Sequence, residues 1–157
     1  MGKRLGILGA AIAVAALVAG VVTPAWGSSG NSSQHQAIRV VAIVTELSLV
    51  PVSSTGPSLG DEIVFAEKLL QGGKQVGHEG AVCTTVSLAR QEAQCVATYS
   101  FGGAQITAQA LITLGSLAPY AGAVTGGTGK YEGAKGEVRV RTLTGGTKGI
   151  LTFDLQH

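Results

Sequence analysis

Glu137-Val138-Arg139-Val140-Arg141-Thr142-Leu143 alternates strictly, with Val138, Val140 and Thr142 on one side and Arg139, Arg141 and Leu143 on the other. A period of two over seven residues is the mark of a half-buried β-strand. Thr144-Gly-Gly-Thr147 follows, where glycines supply the positive φ of a tight turn, and a second strand-like run, Gly149 to Leu155, comes next. Working outward, Ile38–Leu49, Glu62–Leu70, Ala81–Leu88, Cys95–Phe101 and Ala104–Leu114 have similar lengths and turn-like boundaries. Gly72-Gly73, Gly102-Gly103 and Thr125-Gly-Gly-Thr128 punctuate them, and both Thr-Gly-Gly-Thr stretches read as hairpin turns. Only Asp61–Gln71 could pass for a helix, and so short a helix would be marginal. About eight short strands in ~130 residues predict an all-β chain, an antiparallel sandwich or closed barrel. Aromatic residues make up only 4% of the chain, which favours an eight-stranded closed barrel with a partly open interior.

The composition narrows the class. Of 157 residues, 45% are hydrophobic and 13% charged, which excludes intrinsic disorder. The mean hydropathy of +0.36 is inflated by one segment. Lys3 and Arg4 precede an almost uncharged run from Leu5 to Val22, then Pro24, Ala25 and Gly27. This is the three-part pattern of a secretory signal over residues 1–27, cut after Gly27 or Ala25. The competing reading is an uncleaved anchor, since the run could just span hydrocarbon. Without residues 1–27 the basic and acidic side chains balance, so the pI near 8.7 belongs to the precursor and no basic nucleic-acid footprint remains. The expected organisation is a signal peptide over 1–27, a Gly/Ser/Asn/Gln-rich flexible lead-in over 28–37, and one barrel domain over 38–157. That makes the chain secreted or extracytoplasmic, with no stable membrane span after processing. Its Ala/Gly/Val-rich make-up suits a bacterial source.

Several chemical signals fail on inspection. His35, His78 and His157 lack zinc-ligand spacing, and His78-Glu79 is not followed by the second histidine of a zincin, so no metal site is expected. Gly126–Lys130 resembles a phosphate loop, but Val124 stands where its first glycine belongs and Tyr131 replaces its Ser/Thr. Asn31-Ser32-Ser33 is a glycosylation sequon of the kind that arises by chance. Cys83 and Cys95, two cysteines in an exported chain, favour a disulfide. A fold back near Ala89–Arg90 would bring them opposite each other, and so short a loop contributes about 3 kcal/mol.

Leu59-Gly-Asp61, Phe65 with Lys68-Leu69, Val76-Gly77, Cys83, Ala97-Thr-Tyr-Ser-Phe101 and the glycine-rich Val124–Val138 together resemble allene oxide cyclases. Dirigent proteins, distant relatives, share the Gly-Gly-Thr-Gly-x-Tyr/Phe signature. The resemblance runs on to Thr152-Phe153. It implies an eight-stranded antiparallel barrel, assembly as a homotrimer, no cofactor, and a small hydrophobic ligand whose ring closure or coupling is steered inside the barrel. In that alignment Ile43 and Thr45 stand where plant cyclases carry glutamate and asparagine. The plant pocket tyrosine has no match in Ala108–Ile112. Glu67 replaces the plant pocket asparagine, Cys83 matches the pocket cysteine, and Cys95 replaces a nearby aromatic, which implies that the cysteines pair.

What survives is an apolar lining, Ile63 and Phe65, and one carboxylate, Glu67, the candidate catalytic acid or base. Glu67 shares a face with Phe65, and burial would raise its pKa. The competing readings are a bulge that turns it to solvent or a pairing with Arg139 or Arg141. Tyr99 and Phe101 share the parity of Cys95 and complete the expected ligand-binding set of Ile43, Thr45, Ile63, Phe65, Tyr99 and Phe101, unless they are filler. Tyr131 and Glu132 read as turn and packing residues. The expected function is steered cyclisation or isomerisation of a hydrophobic molecule. The alternatives are a barrel that binds without chemistry and one filled by its own side chains.

Overall fold

A computed structural model describes residues 35–143 and 145–156; the expected signal peptide and most of the lead-in lie outside them. Eight strands follow in order: β1 (His35–Val50), β2 (Glu62–Gln71), β3 (Lys74–Ser87), β4 (Glu92–Phe101), β5 (Ala104–Thr113), β6 (Tyr120–Gly127), β7 (Lys135–Thr142) and β8 (Lys148–Gln156). Each pairs antiparallel with its neighbour in sequence, and β1 closes on β8. The expected all-β closed barrel is the observed fold. Among the described residues no helix is long and apolar enough to cross a membrane.

Differences from the expected boundaries have local causes. β1 starts at His35, inside the expected lead-in, because Gln36 and Ala37 pair with Leu155 and Asp154 on β8. Asp61–Gln71 contributes β2, since its backbone finds ladder partners on both sides. The run Tyr120-Ala-Gly-Ala-Val-Thr-Gly-Gly127 was not singled out as a strand; its small residues carry no alternation. Gly126-Gly127 therefore ends β6 and is not a hairpin turn. The chain reverses later, through a 3-10 turn at Gly129–Tyr131. Gly145-Gly146 does turn the β7–β8 hairpin, both at positive φ.

The glycine-rich signature has a structural reason. The Thr128 amide donates to the Gln105 carbonyl (2.8 Å), and the Gln105 amide donates back to the Thr128 hydroxyl (3.1 Å). A Cβ on Gly127 would collide with the Tyr131 carbonyl and lie 2.7 Å from that of Gln105. This close approach swings Tyr131 under the barrel, where it is 2% exposed.

Inward side chains grade in size along the barrel. From mouth to floor β4 presents Cys95, Ala97, Tyr99 and Phe101, and β8 presents Gly149, Leu151, Phe153 and Leu155. At the floor Phe153, fully buried, packs edge-on to Tyr99 and Phe101 at 4.8 and 5.9 Å between ring centres, and Phe101 meets Tyr131 at 6.1 Å. Leu69, Ile106 and Leu155 complete the plug. Burying each such side chain stabilises the fold by about 1.5–3 kcal/mol. Cys83 and Cys95 form a disulfide across the β3–β4 ladder, on the inner wall.

Phe153→Ala is expected to lower unfolding free energy by about 3–5 kcal/mol in urea titration, the cost of an unfilled aromatic cavity. Cys83→Ser/Cys95→Ser should lower it by about 2–4 kcal/mol, the loss of a short cross-link. A midpoint unmoved by the double substitution would show that the cross-link contributes nothing to stability.

Candidate functional site: paired carboxyls in a half-hollow barrel

Cross-strand register places the site's side chains in rungs. One rung runs Val44–Glu67–Glu79–Tyr99–Ile106 across β1 to β5. The next towards the mouth runs Leu47–Phe65–Ala81–Ala97–Ala108, and the third holds Ile63–Cys83–Cys95–Ala110. All six residues that β3 to β5 place in these two upper rungs, Ala81, Ala97, Ala108, Cys83, Cys95 and Ala110, are alanine or half-cystine, so the wall there is thin. Gly122 keeps β6 equally close: its Cβ would meet the Gln109 carbonyl at 3.0 Å.

Two hollows result. An inner one of about 70 Å³ is walled by Ala81, Ala97, Ala108 and the disulfide. An outer one of about 270 Å³ reaches from Val44, Leu47 and Ile63 to Thr147 and Lys148 at the lip. Phe65, Glu79, Tyr99, Tyr120 and Val140 line both, so Glu79 and the tyrosines stand at their junction, with Glu67 on the outer hollow's side. The β1–β2 loop frames the mouth and is braced by Asp61, whose carboxylate accepts from the Val52 amide (2.8 Å) and from the Ser58 amide and hydroxyl (2.7 and 2.8 Å). Those donors hold its carboxyl below the usual range.

Glu79 is 5% exposed, and its Oε2 has no hydrogen-bond partner among the described residues. Burial pushes its pKa up to about 9, and the neighbouring Glu67 charge and hydrogen bond add to the rise, against a smaller opposing contribution from Tyr99. Burial also raises Glu67, while its hydrogen bond with Glu79 lowers it. Two facing carboxyls that cannot both ionise share one proton, with Glu79 the protonated member at neutral pH. Burial, then the Glu79 charge, pushes the Tyr120 hydroxyl up to about 12, and the same causes raise Tyr99 well beyond its ordinary value. The junction thus offers a proton donor, a proton acceptor and two neutral phenols in an apolar frame.

The expected site residues divide. Glu67, Ile63, Phe65 and Tyr99 converge on the hollows. Ile43 and Thr45 do not. A bulge between Val44 and Glu46 inserts an extra residue in β1, so Val44 and Leu47 face inward, while Ile43 pairs beside Lys68 and Lys148. The bulge is tied from both sides: the Val44 amide donates to the Thr147 carbonyl (3.0 Å) and the Thr45 hydroxyl to that of Ala66 (3.1 Å). Phe101 is buried in the floor plug, away from the hollows. Arg139 pairs with Glu137 at 3.0 Å, so it does not neutralise Glu67. Glu79, read in sequence only as half of a failed zinc motif, is the acid that reasoning missed. It lies four residues from Cys83 on the same strand, and that even spacing already puts both on one face.

Comparison with known proteins agrees with this architecture. A pyocyanin demethylase is similar over 76% of this chain and 99% of its own, at 28% identity and a TM-score of 0.67. A pterocarpan synthase dirigent protein superposes over 79% of this chain and 89% of its own, at 18% identity and a TM-score of 0.61. The Diels-Alderase AbmU from Streptomyces koyangensis does so over 82% and 70%, at 10% identity and a TM-score of 0.64. The last two likenesses concern the fold alone. No curated protein matches the chain in sequence. Residues 41–150 match the allene oxide cyclase barrel-like domain, from the first strand through the glycine-rich signature to the closing strand, and the chain belongs to that family.

Proposed function

We propose that the chain is an exported barrel that takes a small, mostly apolar molecule into the outer hollow and steers its cyclisation or isomerisation, with Glu67 and Glu79 as the acid–base pair. One observation carries the reading: a buried glutamate with an unpartnered carboxyl oxygen, facing a second glutamate at the junction of two hollows. A protein gains nothing in stability from such an arrangement, because an orphaned buried polar atom costs about 1–3 kcal/mol. Perturbed carboxyls in a cleft are typical of sites that move protons.

Neutral Glu79 donates its proton to a ligand oxygen as charge develops there. Ionised Glu67 takes a proton from the ligand or steadies a developing positive charge. An isomerisation consumes no other reactant, and the shared proton returns to the pair when the product leaves. Walls of alanine, valine and aromatic side chains hold the ligand's reacting ends together and exclude water. The cross-strand disulfide and the N-terminal leader support an oxidising, extracytoplasmic setting. The apolar outer pair Val82 and Val96 supports assembly of copies, a trimer on the family resemblance. The demethylase among the similar structures carries, by its name, a different reaction, so fold does not choose the chemistry.

The test starts with native mass spectrometry of protein purified from its own host, which reports retained ligand and assembly together. With that ligand, Glu67→Gln and Glu79→Gln are each expected to lower turnover at least about a hundredfold. Wild-type rates in both variants would remove the acid pair from the chemistry, and no turnover of the retained ligand by the unaltered protein would leave a barrel that binds without chemistry. Ala97→Leu should fill the inner hollow and weaken binding with the fold intact.

The acid pair also predicts a pH dependence of stability. The Glu79 pKa is 4.5 ordinarily and about 9 in the fold, so between those values the folded chain holds a proton that the unfolded chain releases. Stability is therefore fully present below pH 4.5 and falls as pH rises towards 9, by up to about 1.4 kcal/mol per unit. Glu79→Gln should flatten that slope and raise the melting temperature at pH 8. An unchanged slope would mean that Glu79 is ionised in the fold.

A further inference from the structure

We infer that the hollow selects a ligand that brings a hydrogen-bond donor to its floor, a phenolic hydroxyl or a protonated amine on an apolar ring frame, and turns away molecules that carry a carboxylate or phosphate there. The inference rests on the reading of the hollow as a ligand site and adds the class of ligand. Its first support is the orphaned Oε2 of Glu79, buried to 5% exposure: with the shared proton on the oxygen that hydrogen-bonds Glu67, Oε2 is the carbonyl oxygen and can only accept. A ligand donor placed against it recovers the hydrogen bond that the protein leaves unmade. The second support is charge. Glu67 pairs directly across the ladder from Glu79, so an anion at this depth meets the negative charge that the pair retains with its one shared proton.

Among the described residues lining the two hollows, Lys148 is the one basic side chain, and it is exposed at the lip. An anionic head seated beside Lys148 would send only an apolar tail to the floor and leave Oε2 unmatched. Shape adds a third constraint. The outer hollow of about 270 Å³ lies between Phe65 and Tyr120, whose rings can cover a flat ring system. The inner hollow of about 70 Å³ beside them, against the β3–β6 wall, admits a short substituent and no second ring. The ligand is thus a compact ring system with a donor near one end, unlike a long-chain acid.

Isothermal titration of the processed protein at pH 7 with 2-naphthol, 2-naphthylmethylamine, 2-naphthoate and naphthalene tests this. The naphthol and the amine are expected to bind at least about tenfold more tightly than the naphthoate and more tightly than naphthalene. Glu67→Gln/Glu79→Gln should remove most of the preference for the amine, and Lys148→Ala should leave the order unchanged. Naphthoate binding as tightly as the amine, or naphthalene as tightly as the naphthol, would overturn the selection while leaving the hollow a ligand site. Failure of all four to bind would overturn both readings.

Discussion

In a barrel closed by eight strands, every second side chain competes for one narrow lumen, so the interior is hollow only where those side chains are small. The whole site follows from how their sizes are ordered. Phe101, Ile106, Phe153 and Leu155 exhaust the space at one end, and Ala81, Ala97, Ala108, Gly122 and Gly149 leave it open at the other. The plug supplies the apolar burial that holds the barrel together, which frees the mouth half from a packing role. The glycine-rich loop serves the same division, because it brings Tyr131 under the floor where Gly127 permits backbone to touch backbone.

That division lets the chain carry Glu67 and Glu79 inside. A buried acid facing a half-buried one destabilises a fold unless one stays neutral, and a neutral carboxylic acid at physiological pH is a proton donor of the kind that acid–base chemistry needs. Strain of this sort is tolerated where function requires it and is offset elsewhere, here by the aromatic floor and the Cys83–Cys95 cross-link. The disulfide lies two rungs from the acids on the same wall, so it also keeps β3 and β4 in register where Glu79 and Tyr99 must face each other.

Fold and site were legible in the sequence to different depths. The alternation of Val138 to Leu143 and the paired glycines at 72, 102 and 145 mark strands and turns through local backbone preferences, which act over a few residues and survive folding. β6 escaped because Gly122 and Val124 facing inward and Ala121 and Ala123 facing outward give no contrast between faces. Parity carried Ile63, Phe65, Glu67 and Tyr99 correctly to the interior, because β2 and β4 keep an uninterrupted period of two through those residues. The family alignment failed for Ile43 and Thr45: Ile43 stands on the face opposite buried Val40 and Ala42, and Thr45 is the inserted residue itself, after which the sense of alternation in β1 reverses.

The sequence alone determined the all-β class, favoured the cysteine pairing and put Glu67 on the face of Phe65, since each depends on spacing within one strand or one hairpin, while the closed barrel followed from the family resemblance. Only the tertiary structure decided which end is hollow, that Glu79 meets Glu67, and that Phe101 belongs to the floor. Those facts depend on register between strands far apart in the chain. Register is set by the summed fit of every side chain in the lumen, a quantity no single segment contains.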